Sequence, residues 1–143
     1  MARLLKWLVL AMGIACMAIG AFHLVLGIDS VPGEGSAGAT VDSRERYYGA
    51  IFLGYGLAWI WAARQSPISS RTVRWLAGIF LLGGAGRILS MALYGRPQWF
   101  QVALTVIELA MPPLYFWLST ADEQAAATRL RAAGEGSRNR VGL

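Results

Sequence analysis

LLGGAGRILSMALYGRP, residues 81–97, places one arginine, Arg87, inside an otherwise apolar run. The next apolar run carries one carboxylate, Glu108, in TVIELAM at 105–111. Arg87 lies eight positions before Gly95, and Glu108 eight positions after Phe100. An antiparallel helix pair folded at Gly95-Arg96-Pro97 therefore brings both to one depth, about 12 Å from the connection at about 1.5 Å per residue. Each intramembrane charge costs about 2.5–3.5 kcal/mol on insertion scales, so the two are expected to pair.

The whole composition agrees with a membrane reading. The 143 residues are 56% hydrophobic and 15% charged, with mean hydropathy +0.47. Four long apolar runs at that composition point to an integral membrane protein, and one domain suffices. A net charge of +5 would fit nucleic acid in a soluble chain, but here Lys and Arg gather at helix ends, so no nucleic-acid partner is expected. Cys16 stands alone in an apolar run, which leaves no disulfide framework, CxxC redox pair or cysteine metal site. No metal and no cofactor is expected; a single histidine, His23, cannot supply a bis-His haem site.

Outward from the central stretch, the third helix is expected over about 72–94 and the fourth over about 99–118. Pro112 and Pro113 deny the carbonyls of Glu108 and Leu109 their helical donors. Leu4–Ile28 is read as the first span; it is too long for a cleavable leader and has no clear cleavage site. DSVPGEGSAGATVDS, residues 29–43, reads as a flexible exposed loop. Asp42 and Glu45 then fit a capping pair for a second helix at about 44–63. There Ala50/Gly54 and Gly54/Ala58 are small-xxx-small pairs, and Gly49, Gly54, Gly83, Gly84 and Gly86 are expected helix-packing positions. RQSPISSRTVR, residues 64–74, is a basic turn with Ser69 or Ser70 as cap. Residues 1–119 form the bundle. Residues 120–143 form a tail with a short helix opened by Thr120 and Glu123, disordered from Gly134.

The fold class expected is all-α, a four-transmembrane-helix antiparallel bundle. Basic residues crowd the N-terminus, the middle turn and the tail, while the two opposite connections carry only Arg44, Arg46 and Arg96. The positive-inside rule then puts both termini in the cytoplasm of an inner (plasma) membrane protein. In that orientation His23, Arg46, Arg87, Ser90 and Glu108 share the outer half of the membrane, a candidate polar cluster opening outward. Each has a plainer reading: a register-fixing ion pair for Arg87–Glu108, a core hydrogen bond for His23, a snorkelling side chain for Arg46.

RYYGAIFLGYG, LGGAGRILSMALYGRP and IEL resemble a family of small, uncharacterised bacterial four-helix membrane proteins, a domain of unknown function. The likeness spans about Lys6 to Leu118 and leaves the tail after Thr120 outside. It implies the four-helix fold and matches Arg46, Arg87, Gly95, Pro97 and Glu108 to the family pattern, and it brings no established activity. Three functions compete. The first is a non-catalytic accessory subunit or a binder of lipid or an anionic group, with membrane lipids, a larger complex or a homo-oligomer as partners. The second is a dimeric, proton-coupled multidrug-type transporter using Glu108, which the adjacent arginine opposes by repelling cations. The third is a membrane enzyme on a lipid or isoprenoid with His23 and Glu108 as acid and base. No catalytic motif supports it, and catalysis ranks below binding.

Overall fold

The computed structural model describes residues 2–32 and 38–141, with side chains as far as 134. Among the described residues the regular elements are all α-helices apart from one short 3-10 turn. The elements are α1 (Ala2–Leu26), the turn Gly27–Ser30, α2 (Gly38–Arg64), α3 (Ser70–Tyr94) and α4 (Trp99–Val141). They divide into two compact units, one comprising Lys6–Ile68 and one comprising Met1–Leu5 with Ser69–Leu143.

Three helices are long and apolar enough to cross a membrane, in the segments Ala2–Ser30, Ser70–Tyr94 and Trp99–Gly134. The expectation of four such spans meets its exception in α2. That helix starts six residues earlier than the expected Arg44 and takes in Asp42, Arg44, Glu45 and Arg46. Its remaining stretch is diluted by Tyr47, Tyr48, Tyr55, Trp59 and Trp61 and by three glycines.

In the first unit α1 and α2 run antiparallel at backbone contact. A Cβ on Gly20 would stand 2.4 Å from the Leu53 amide nitrogen and 2.8 Å from the Gly49 carbonyl. On Gly49 it would meet the Leu24 nitrogen at 2.5 Å and the Gly20 carbonyl at 2.9 Å. Gly13 and Gly56 repeat the arrangement seven residues along each helix, with approaches of 2.6–3.0 Å. The hydrogens that replace each Cβ point at the partner's carbonyl, as in Cα–H···O contacts. Gly54 lies off this line, with nothing within 4 Å of its Cβ position. The close face is therefore a seven-residue repeat, not the small-xxx-small row through Ala50, Gly54 and Ala58. Seven-residue spacing keeps one stripe of each helix in contact with the other.

In the second unit α3 and α4 also run antiparallel. Of the two serines expected as cap, Ser69 fills the role by accepting from the Thr72 amide, and Ser70 is the first residue of α3. Gly95 ends it with φ 87°, a left-handed conformation, its N–H bonded to the Met91 carbonyl at 3.0 Å. The buried α3 residues Ser70, Val73, Ala77, Phe80 and Gly84 follow a three-four spacing, and Arg87 continues it. On α4 the same spacing runs through Gln101, Thr105, Glu108, Pro112, Tyr115 and Ser119, of which Thr105, Pro112, Tyr115 and Ser119 are buried. At the far end of this seam Ser70 donates to the Ser119 carbonyl at 3.2 Å, and Arg74 binds Ser119, Thr120 and Glu123.

The α4 helix passes through Pro112 and Pro113 without interruption and reaches Val141. The expected separate tail helix opened by Thr120 and Glu123 is instead part of α4. Thr120 lies inside the helix and donates to the Phe116 carbonyl, and Glu123 is the partner of Arg74 at 2.5 Å. The last two residues, 142–143, lie outside the described part.

Candidate functional site

The five expected site residues fall in different units, His23 and Arg46 in the first and Arg87, Ser90 and Glu108 in the second. In the α3–α4 unit, Arg87 donates from Nε to Glu108 Oε2 at 2.8 Å and from Nη1 to Gln101 Oε1. Gly84 makes this possible. Its missing Cβ would stand 3.3 Å from Glu108 Cβ and 2.9 Å from Leu109 Cδ2, so the glutamate packs directly against the helix there. Arg87 itself stands three residues nearer the connection, about one turn from that contact. Helical side chains lean toward their own N-terminus, which sends the arginine back to the carboxylate. The equal-depth expectation is thus off by about a turn, and the length of the arginine makes up the difference. The pair is unequally covered: 36% of the Arg87 side chain is exposed against 12% of Glu108.

Gln101 escaped the sequence reading. The signal was present, because an arginine in lipid needs acceptors for several N–H groups and Gln101 lies one heptad before Glu108 on the same face. Ser90 is exposed and does not join the three. Among the described glycines of this unit only Gly84 is at a packing contact; Gly83 and Gly86 have nothing within 4 Å of their Cβ positions.

The second cluster closes the end of the α1–α2 unit. Helix α1 ends at Gly27, whose φ of 57° is left-handed. Arg46 donates from Nη1 to the carbonyls of Leu24 and Val25 at 2.9 and 2.7 Å, satisfying the bare C-terminus of α1. Its Nε binds Asp42 Oδ2 at 2.9 Å, and Asp42 Oδ1 accepts from the Ile28 amide at 3.0 Å. Asp42 therefore is not the cap of α2 but a bridge from one turn inside it to the end of α1. Part of the supposed flexible loop is a fixed corner; residues 33–37 of it lie outside the described part.

His23 belongs to the same corner. Ser30 has one hydroxyl proton and donates it to the Gly27 carbonyl at 2.5 Å. His23 Nδ1, 2.6 Å from Ser30 Oγ, must then carry a proton and donate. Glu45 Oε2 lies 3.9 Å from the same nitrogen. A Ser–His–carboxylate relay needs the two partners on opposite ring nitrogens, and here both face Nδ1. The contacts of His23 and Arg46 go to backbone and to Asp42, Ser30 and Glu45, which makes the corner a structural lock. Among the described residues no three of His, Cys, Asp and Glu gather as a metal ion would need.

Two outcomes follow for this corner. Gly27→Ala combines a left-handed backbone with a Cβ placed against Asp42 Oδ1, and the backbone strain alone is about 1–3 kcal/mol. Chemical unfolding of Gly27→Ala should show at least that loss, whereas an unchanged midpoint would mean the corner is not built this way. The second concerns acid. Arg46, and then the Ile28 N–H, hold the Asp42 carboxyl below its ordinary range. A lowered folded pKa gives stability that is complete above the unfolded value of about 3.9 and lost as pH falls through the folded one. The stability gap between wild type and Asp42→Asn should stay level at neutral pH and close in that acid range.

The comparison with protein families comes down to the helical region that holds both clusters. The family described as "Domain of unknown function (DUF4345)" matches residues 4–119. The chain belongs to this family. Its match ends at Ser119, where Arg74 ties α3 to α4, so most of the α4 extension falls beyond it. No curated protein and no solved structure matches the chain.

Proposed function

We propose that this member of the DUF4345 family is an integral membrane protein in a binding or accessory role, with Arg87 as donor to an anionic group. The observation that carries this reading is the asymmetry of the charge pair. Glu108 and Gln101 fix the guanidinium through Nε and Nη1, yet more than a third of the side chain stays open while the carboxylate is largely covered. A preformed planar donor with an open edge suits phosphate or carboxylate. On the other faces of α3, Leu82, Ile88, Leu89 and Leu93 are exposed, as lipid-facing residues are.

In this reading α2 spans as well through its aromatic-rich stretch, and both termini lie on the cytoplasmic side of the inner membrane, a reading that the basic residues at those ends support. The open glycines on α3, Gly78, Gly83 and Gly86, leave room for a helix of a larger complex or of a second copy, which is the accessory form of the same proposal.

The test is native mass spectrometry of the full chain extracted in mild detergent. Wild type should retain anionic phospholipid or an anionic partner above its share in the membrane, and Arg87→Gln should lose that enrichment. Equal retention by the two proteins would remove Arg87 from any binding role.

A further inference from the structure

We propose that the bound group is the phosphate of an anionic phospholipid, and that it seats on Arg87 by taking the place of Gln101 while Glu108 keeps its hold. The proposal rests on the reading of Arg87 as an anion donor. The two acceptors on Arg87 differ in charge and in depth. Glu108 is a carboxylate, largely covered, nine residues after Trp99 along α4. Gln101 is a neutral amide only two residues after Trp99, which opens α4. Trp99 and Tyr94 on either side of the connection are 80% and 87% exposed, the placing of aromatics at the lipid headgroup level. The Nη1 edge of the guanidinium is therefore held close to the level where lipid phosphates lie.

A hydrogen bond between two charged groups is roughly twice as strong as one with a neutral partner. A phosphate arriving at that level outcompetes the Gln101 oxygen for Nη1 but has no such advantage over the Glu108 carboxylate on Nε. The amide is then a stand-in acceptor that keeps the arginine satisfied until a headgroup arrives. Both helices are apolar enough to cross a membrane, and the exposed Tyr94 and Trp99 put this edge at the level where phosphates belong to lipid headgroups, so a lipid is the occupant.

The experiment uses the full chain in phosphatidylcholine nanodiscs doped with phosphatidylglycerol, with protein-bound lipid counted by native mass spectrometry. Gln101→Glu places a permanent carboxylate on Nη1 and should lower bound phosphatidylglycerol roughly tenfold, the worth of one charge-assisted hydrogen bond. It should unfold no earlier than wild type on heating. Gln101→Met removes the stand-in without adding charge and should retain as much phosphatidylglycerol as wild type or more, so it keeps the test open even if the glutamate variant fails to fold. Unchanged retention in Gln101→Glu, or a loss in Gln101→Met, would overturn the Gln101 seat. If Arg87→Gln alone abolishes retention, the anion-donor reading survives and only the seat is lost; if Arg87→Gln also retains lipid, both fail. Excess inorganic phosphate should leave the lipid bound, and stripping by it would overturn the choice of a lipid.

Discussion

Gly49→Leu and Gly20→Leu each abolish the folded α1–α2 pair. At Gly49 the first added atom already stands 2.5 Å from the Leu24 amide nitrogen, and at Gly20 it stands 2.4 Å from that of Leu53. Both obstacles are backbone, so no rotamer change relieves them; the helices must move apart along their length. Overpacking in a well-filled core costs about 1–3 kcal/mol when side chains can yield, and here the loss should reach or exceed about 3 kcal/mol. Gly54→Leu on the same helix is the matched control, because its Cβ position is open. Protease resistance and helical unfolding of the three variants in the same detergent check this. Similar behaviour of Gly49→Leu and Gly54→Leu would show that the close crossing does not exist.

The other large effect is at Glu108. Glu108→Ala leaves the Arg87 charge with only a neutral amide for partner. Removing one member of a buried pair typically costs about 3–5 kcal/mol, because the other charge is stranded. The exposed third of Arg87 allows some relief by snorkelling toward the headgroups, so the lower end of that range is expected. Glu108→Gln keeps an acceptor at the same place and should cost less. Equilibrium unfolding in bilayers separates the two; equal small losses would mean the carboxylate is not what Arg87 depends on.

How much of this was legible in the residues depends on the interaction concerned. The apolar runs, a serine cap at Ser69 or Ser70, the Gly95 ending and the Arg87–Glu108 partnership were all readable, since each is local or set by one short connection. The second helix was harder. Its polar opening looks like loop by composition, whereas in the structure it is helical and Asp42 and Arg46 bond to the end of α1 at Ile28, Leu24 and Val25. Those same bonds take up Arg46, which by sequence alone looks like a free interfacial cation. The glycines divide for a geometric reason: spacing of four marks a small face, but which face meets a neighbour depends on the crossing. The seven-residue spacing of Gly13 with Gly20 and of Gly49 with Gly56 carried that information, and comparing two helices at once was needed to see it. The α4 extension went unread because proline and a capping-type Thr/Glu pair signal ends locally, while Arg74 holds Thr120 and Glu123 within a continuing helix.

A double-substitution cycle on Arg87 and Glu108, read by unfolding in lipid bilayers, bears most directly on the site. With the two groups joined across 2.8 Å, Arg87→Ala and Glu108→Ala together should cost less than the sum of the single losses, by about 0.5–3 kcal/mol. Single losses that simply add would contradict the charge pair, and with it the placement of the arginine that the binding role requires.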